Sequence, residues 1–228
     1  VGCAERFGGS IIDGGVRIPA PRQCPKPRDA HGGHLMKKRL GPSDRLYPMP
    51  AVLVCGGTME EADACAVAWT GICGTNPPRI AIALRESRRT LELIRATGTL
   101  TVNTPRADDA AVADFFGIVS GHSRDKFAES GWTMEPSVVV TAPRIAECPY
   151  QLECRVEQEV ALGSHVLLIA EVVESHAEED LLDASGEKVD VAALDPLVYI
   201  AGSREYRRLG EKVGDAYTIG KTVGGQTG

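Results

Sequence analysis

At 228 residues the chain is long enough for one large domain with an interior of its own, and too long to be a disulfide-stapled miniature. Its 25 Lys+Arg against 31 Asp+Glu give a net charge of −6 and an isoelectric point near 5.4, which excludes a global positive field for nucleic acid or an anionic membrane. No apolar run approaches the ~20 residues of a membrane-spanning helix and no leader pattern is visible, so a soluble, cytoplasmic protein without membrane or nucleic-acid partners is expected.

Residues 1–35 are rich in Gly, Pro and Arg, lack apolar periodicity, and read as a disordered extension before a domain spanning 36–221 and a flexible tail at 222–228. His31 and His34 in that extension read as solvated rather than as metal ligands. Cysteines stand at 3, 24, 55, 65, 73, 148 and 154 with no Cys-x-x-Cys pair and no His at zinc-ligand spacing. They are expected to be reduced thiols, mostly filling the core, and no metal site is expected.

From Ala51 onward, short β-rich runs alternate with turns. Ala51–Cys55 reads as a strand ended by Gly56-Gly57, Cys65–Thr70 as a second stopped by Gly71, and Ile80–Leu84 as a third. Ser87 is expected to cap a helix running to about Ala96, with Gly98 as its stop. Leu100–Asn103 reads as a strand, Asp108–Val119 as a helix with Val112, Phe115 and Phe116 facing inward, and Asp125–Phe127 as a short helical piece. Val138–Val140, Leu152–Leu162, Val166–Val173 and Leu197–Ala201 are expected strands, the last followed by a helix-like stretch at Arg204–Leu209. Strands and helices do not alternate regularly, and no Gly-x-Gly-x-x-Gly follows a strand. A doubly wound nicotinamide-binding sheet is therefore disfavoured against a mainly β barrel with peripheral helices.

Ser87-Arg88-Arg89-Thr90 places two hydroxyls and two guanidinium groups where a strand hands over to a helix. Free amides, the positive end of the helix dipole and Arg forks there favour a phosphate. The competing reading makes Ser87 a simple cap and both arginines solvated. Ser120-Gly121 through Lys126 offers a second small-residue turn beside a lysine, which can contact a phosphate, stabilise charge on an electron-accepting ring, or merely decorate the surface. Trp69, with Thr70 and Gly71, either covers a planar ligand or fills the core. His165 reads as a structural histidine, and Glu178, Glu179 and Asp180 as solvated. Neither a nucleophile elbow nor a recognisable Cys/His arrangement is present, so a catalytic triad finds no support.

Taken together, Ala68-Trp69-Thr70-Gly71, Thr75-Asn76-Pro77-Pro78, Ser87–Thr90, Thr101-Val102-Asn103, Ser120-Gly121 through Phe127, Leu162–His165 and Asp195–Tyr199 leading to Tyr206 form an ordered set over about 40–215. In this order they resemble the flavin reductase-like family of FMN-binding split barrels, most closely its flavoredoxin branch. The resemblance implies a homodimeric FMN-binding split β-barrel holding non-covalent FMN. By that resemblance Trp69 and Thr70 lie along the isoalloxazine, with Gly71 also in contact with the cofactor, and Ser87, Arg88, Arg89 and Thr90 hold the phosphate. Ser120, Gly121 and Lys126 also contact the flavin, with Asn103 and Tyr199 as further members. Asp63 stands where the branch often carries Asn, so it is expected to point away from the flavin or to lower its potential. Cys65-Ala66 replaces a usual Met-Thr, and His122 a usual Arg. The implied function is electron transfer through FMN with a donor or acceptor protein, which requires no side-chain acid or base, so no residue is assigned a catalytic role. The alternatives are an NAD(P)H-dependent FMN reductase and a non-redox ligand-binding barrel.

Overall fold

The computed structural model describes residues 37–223. The expected extension, with Cys3, Cys24, His31 and His34, and residues 224–228 lie outside the described residues. The chain divides into units at Val1–Ser43 and Asp44–Gly228. Described residues of the first unit form no helix or strand; everything below concerns the second.

In chain order the second unit runs β1 (Met49–Pro50), β2 (Val52–Gly57), β3 (Ala62–Val67), β4 (Thr70–Thr75), β5 (Pro78–Leu84), α1 (Arg89–Thr97) and β6 (Thr99–Thr104). It continues through α2 (Ala110–Ile118), α3 (Lys126–Ser130), β7 (Met134–Glu135), β8 (Arg144–Ile145), β9 (Tyr150–Ala161) and β10 (Val166–Ala177). α4 (Val191–Leu194), β11 (Val198–Ile200) and β12 (Glu205–Arg207) follow. A seven-stranded antiparallel sheet in the order β3-β2-β6-β9-β10-β5-β4 dominates.

That sheet curls. Cys65 and Val67 of β3 lie near one edge, Ile80, Ile82 and Leu84 of β5 near the other, yet all belong to one buried cluster with Leu91 and Ile94 of α1. The strand β2 is buried on both faces because its residues alternate between two cores. Val52 and Val54 face the cluster inside the curl, whereas Leu53 and Cys55 face a second one with Phe116 of α2 and Phe127 of α3. A Cβ on Gly56 would meet Ile94 Cγ1 at 2.5 Å and the Thr90 carbonyl at 3.0 Å, so a glycine is what lets the start of α1 lie against β2. Gly98, with φ of 69°, ends α1 as expected.

The mainly β reading with peripheral helices stands, and four local expectations are corrected. The run Cys65–Thr70 is two strands, since β3 and β4 lie at opposite ends of the sheet and Ala68-Trp69 is the corner between them; Gly71 lies within β4. Ser87 is not the cap, because α1 begins at Arg89 with Arg88 as an N-cap residue whose side chain makes no capping bond. Arg204–Leu209 contributes the strand β12, which places Tyr206 opposite Tyr199 of β11. Val138–Val140 is no strand, since its amides are satisfied by a carboxylate instead of a ladder.

That carboxylate is Glu153 on β9, fully buried. It accepts the amides of Val138, Val139 and Val140 at 2.8, 2.6 and 3.1 Å, and His176 Nε2 lies 2.7 Å from its Oε1. Arg144 stands farther off, with Nε at 3.8 Å. Burial alone would raise the Glu153 carboxyl, yet the three amides and His176 hold it below the ordinary carboxylate range. The ionised form is thus the folded form. Its contribution is full above the ordinary glutamate pKa and is lost as pH falls through the depressed folded value. Glu153→Gln is expected to lower stability by about 2–3 kcal/mol at neutral pH and to flatten the acid side of a urea-midpoint against pH curve.

Candidate functional site

Three cavities meet around the C-terminal half of β3 and the start of α1. The first, about 170 Å³, is walled by Arg85, Ser87, Arg88 and Arg89 on one side and by Ser120, Gly121 and Lys126 on the other. It opens past Arg85 and Arg88 into a second cavity of about 420 Å³ beside Cys65, Ala66, Val67, Trp69, Ala83, Leu84, Ser164 and His165. A third, about 270 Å³, lies on the far side of Trp69 against Tyr199, Arg204 and Tyr206.

The first cavity is built for an anion. Helix α1 starts without a side-chain cap, which leaves its first amides for an incoming acceptor. The Arg88 guanidinium donates through Nη2 to the Gly117 carbonyl at 2.8 Å, a bond that aims it from the start of α1 toward the end of α2, and among the described residues it has no carboxylate partner. Among the described residues the Arg85 side chain makes no hydrogen bond or ion pair. Arg89 differs, because its charge is met by Glu61 and by Glu92 at 2.8 Å. The uncompensated positive charge of the cavity therefore resides on Arg85 and Arg88.

Beneath this surface lies a buried polar knot. Asp63 on β3, 6% exposed, accepts from the Thr90 hydroxyl and lies 2.7 Å from Lys126 Nζ, whose residue is 2% exposed; Lys126 also donates to the Ala64 carbonyl. The turn at Ser120-Gly121 packs directly on it: a Cβ on Gly121 would lie 2.2 Å from Asp63 Oδ1. Asp63 thus links β3 to the first turns of α1 and α3.

The second cavity suits a planar group. Trp69 is 40% exposed and stacks on His165, with ring centroids 6.1 Å apart and 25° between planes. Burial pushes the Cys65 thiol up, so this wall is neutral.

The structure therefore brings together Trp69, Ser87, Arg88, Arg89, Ser120, Gly121 and Lys126 of the expected site, while others fall elsewhere. Thr90 is fully buried with its hydroxyl spent on Asp63, and so stands behind the cavity wall. Lys126 lines the anion cavity and not the slot beside Trp69. Thr70 donates to the Ala81 carbonyl at 2.9 Å and serves the β4–β5 hairpin; Gly71 is exposed next to it and lines none of these cavities. Asn103 is 0% exposed, donating to the Leu53 carbonyl and accepting from the Ile145 amide, so it pins the core. Tyr199 lies across Trp69 in the third cavity. Arg85, Ser164 and His165 were not among the expected site residues, although Arg85 lies only three positions before Arg88.

A curled antiparallel sheet closed into a barrel thus carries a basic cavity at a helix start that opens onto an aromatic-walled slot. The chain belongs to the family described as flavin reductase like domain, which it matches over residues 44–210. It is similar to the solved flavoredoxin of Desulfovibrio vulgaris (Miyazaki F), at 34% identity and TM-score 0.77 over 82% of this chain and 100% of that one. A flavoredoxin from Methanosarcina acetivorans is similar at 30% identity and TM-score 0.76, over 82% and 98%. The FMN reductase (NADH) RutF of Pseudomonas syringae pv. syringae is 29% identical over 107 residues, 46% of this chain and 58% of that protein.

Gly121→Ala is expected to destabilise the fold by about 1–3 kcal/mol, because the new methyl displaces the Asp63 carboxylate from its partners. Gly71→Ala, where a Cβ meets nothing within 4 Å, is the matched control. Urea unfolding of the two variants checks the difference.

Proposed function

We propose that this chain is an FMN-binding redox protein of the flavoredoxin type, with the phosphate in the cavity of Ser87, Arg88 and Arg85 and the isoalloxazine in the slot beside Trp69 and His165. The observation that carries the reading is the pair of guanidinium groups without carboxylate partners at the neck between a small polar cavity and a larger aromatic-walled one. A phosphate monoester matches the fork geometry and the charge. Bound FMN supplies the redox chemistry. The protein's residues bind and orient: Arg85, Arg88 and the first amides of α1 grip one end, Trp69 covers the other, and the neutral Cys65–Val67 wall excludes water. The group fits the residues present.

A homodimer is part of the proposal. Strand β4 is an edge of the large sheet and leaves Ile72 62% exposed, which suits pairing with a second copy. A cytoplasmic setting is also proposed; Cys55, Cys65, Cys73, Cys148 and Cys154 are free thiols, and no described helix is long and apolar enough to cross a membrane. The electron donor is either a reduced protein or NAD(P)H, and the third cavity, sharing Trp69 with the flavin slot, gives a small planar reactant room to approach.

A visible absorbance scan of the purified protein, with FMN added if it is colourless, is expected to show a bound-flavin spectrum. Arg85→Ala combined with Arg88→Ala should weaken FMN by roughly 100-fold, at about 1.5 kcal/mol for each lost charged contact, and leave riboflavin within about twofold. Equal losses for both ligands would contradict the phosphate assignment. Anaerobic bleaching by NADH alone would identify a reductase, whereas bleaching only with a reduced protein donor identifies a carrier. Trp69→Ala is expected to alter the bound-flavin spectrum; an unchanged spectrum and affinity would remove the Trp from the slot.

A further inference from the structure

Resting on that phosphate reading, we infer that Asp63 is a specificity-determining counter-anion. It consumes the charge of Lys126 inside the protein, so that Lys126 does not bind the phosphate and the grip depends on Arg85 and Arg88. Both Asp63 and Lys126 line the anion cavity. A lysine there would ordinarily be read as a third cation for the ligand, but its Nζ is turned inward, 2.7 Å from Asp63 Oδ1 and bonded to the Ala64 carbonyl. The second Asp63 oxygen is taken by Thr90, so the carboxylate is held from two sides. The Gly121 backbone seals it from above with no room for a side chain. The pair is nearly neutral as a unit and sits against the place where a dianion docks. Removing either charge alone must therefore change the field felt by the ligand, in opposite directions.

Asp63 acts through Lys126 and is a positioning residue; its signature is the ratio of FMN to riboflavin affinity, which a purely structural role would not move. Asp63→Asn keeps the shape and an acceptor for Thr90 but frees the lysine charge, and is expected to tighten FMN by roughly tenfold with riboflavin unchanged. Lys126→Met strands the carboxylate beside the phosphate and is expected to weaken FMN by roughly tenfold or more. The double variant Asp63→Asn/Lys126→Met removes the whole pair and is expected to return FMN affinity to within about threefold of wild type.

The measurement is FMN and riboflavin affinity by fluorescence titration on all four proteins, each checked for a cooperative thermal melt. A double variant as weak as Lys126→Met would show Lys126 to be a direct phosphate ligand and overturn the inference. So would a folded Asp63→Asn protein whose FMN affinity does not rise. If Lys126→Met yields no folded protein, the isosteric Asp63→Asn result decides alone. Wild-type protein that binds FMN no better than riboflavin would instead sink the phosphate reading, and this inference with it, a result separable from the other two.

Discussion

One carboxylate, buried at the end of a curled sheet, ties together pieces of chain that are far apart in sequence. Asp63 belongs to β3, holds the first turn of α1 through Thr90 and the first turn of α3 through Lys126, and is roofed by the turn at Ser120-Gly121. A carboxylate in that position would be costly alone; paired and hydrogen-bonded it becomes a three-way fastening whose geometry tolerates little change. The anion cavity is the outer surface of this knot. Its walls come from α1 and from the segment before α3, and their spacing follows from how those two segments converge on the same side chain.

Electrostatics at the surface then sort the cations by their partners and not by their number. Four basic residues line the cavity, but Arg89 is met by Glu61 and Glu92 and Lys126 by Asp63. Arg85 and Arg88 remain. Their position at the neck, between the polar cavity and the Trp69 slot, is what turns two adjoining hollows into one elongated site with a charged end and a planar end.

Much of this was legible in the sequence, and the failures have local causes. Apolar runs bounded by turns revealed β2 and β10, alternating apolar residues revealed β5 and β9, and Gly98 marked the end of α1, because in those places local preferences and the final structure agree. The segment 87–90 and Trp69 could be picked out by residue type. Burial could not. Thr90 and Asn103 carry polar groups that suit a ligand, but both are turned into the protein, where the carboxylate of Asp63 and the backbone of Leu53 and Ile145 claim them. Val138–Val140 has strand composition, yet its amides converge on Glu153, a contact that joins residues about a dozen positions apart and leaves no periodic trace. The Tyr206 segment looked helical until its pairing partner Tyr199 was in view.

The corner at Ala68-Trp69 carries the chain from one border of the large sheet to the other, and the same indole that forms this corner walls two of the three hollows. The residue at the closure of the barrel is thus also a wall of the berth. An occupant lying against that indole adds to the bracing that the His165 imidazole and the Ala83 amide, which donates to the Trp69 carbonyl, already give the seam. A filled berth therefore steadies the join that closes the sheet, and does so in proportion to how far the occupant's concentration exceeds its dissociation constant.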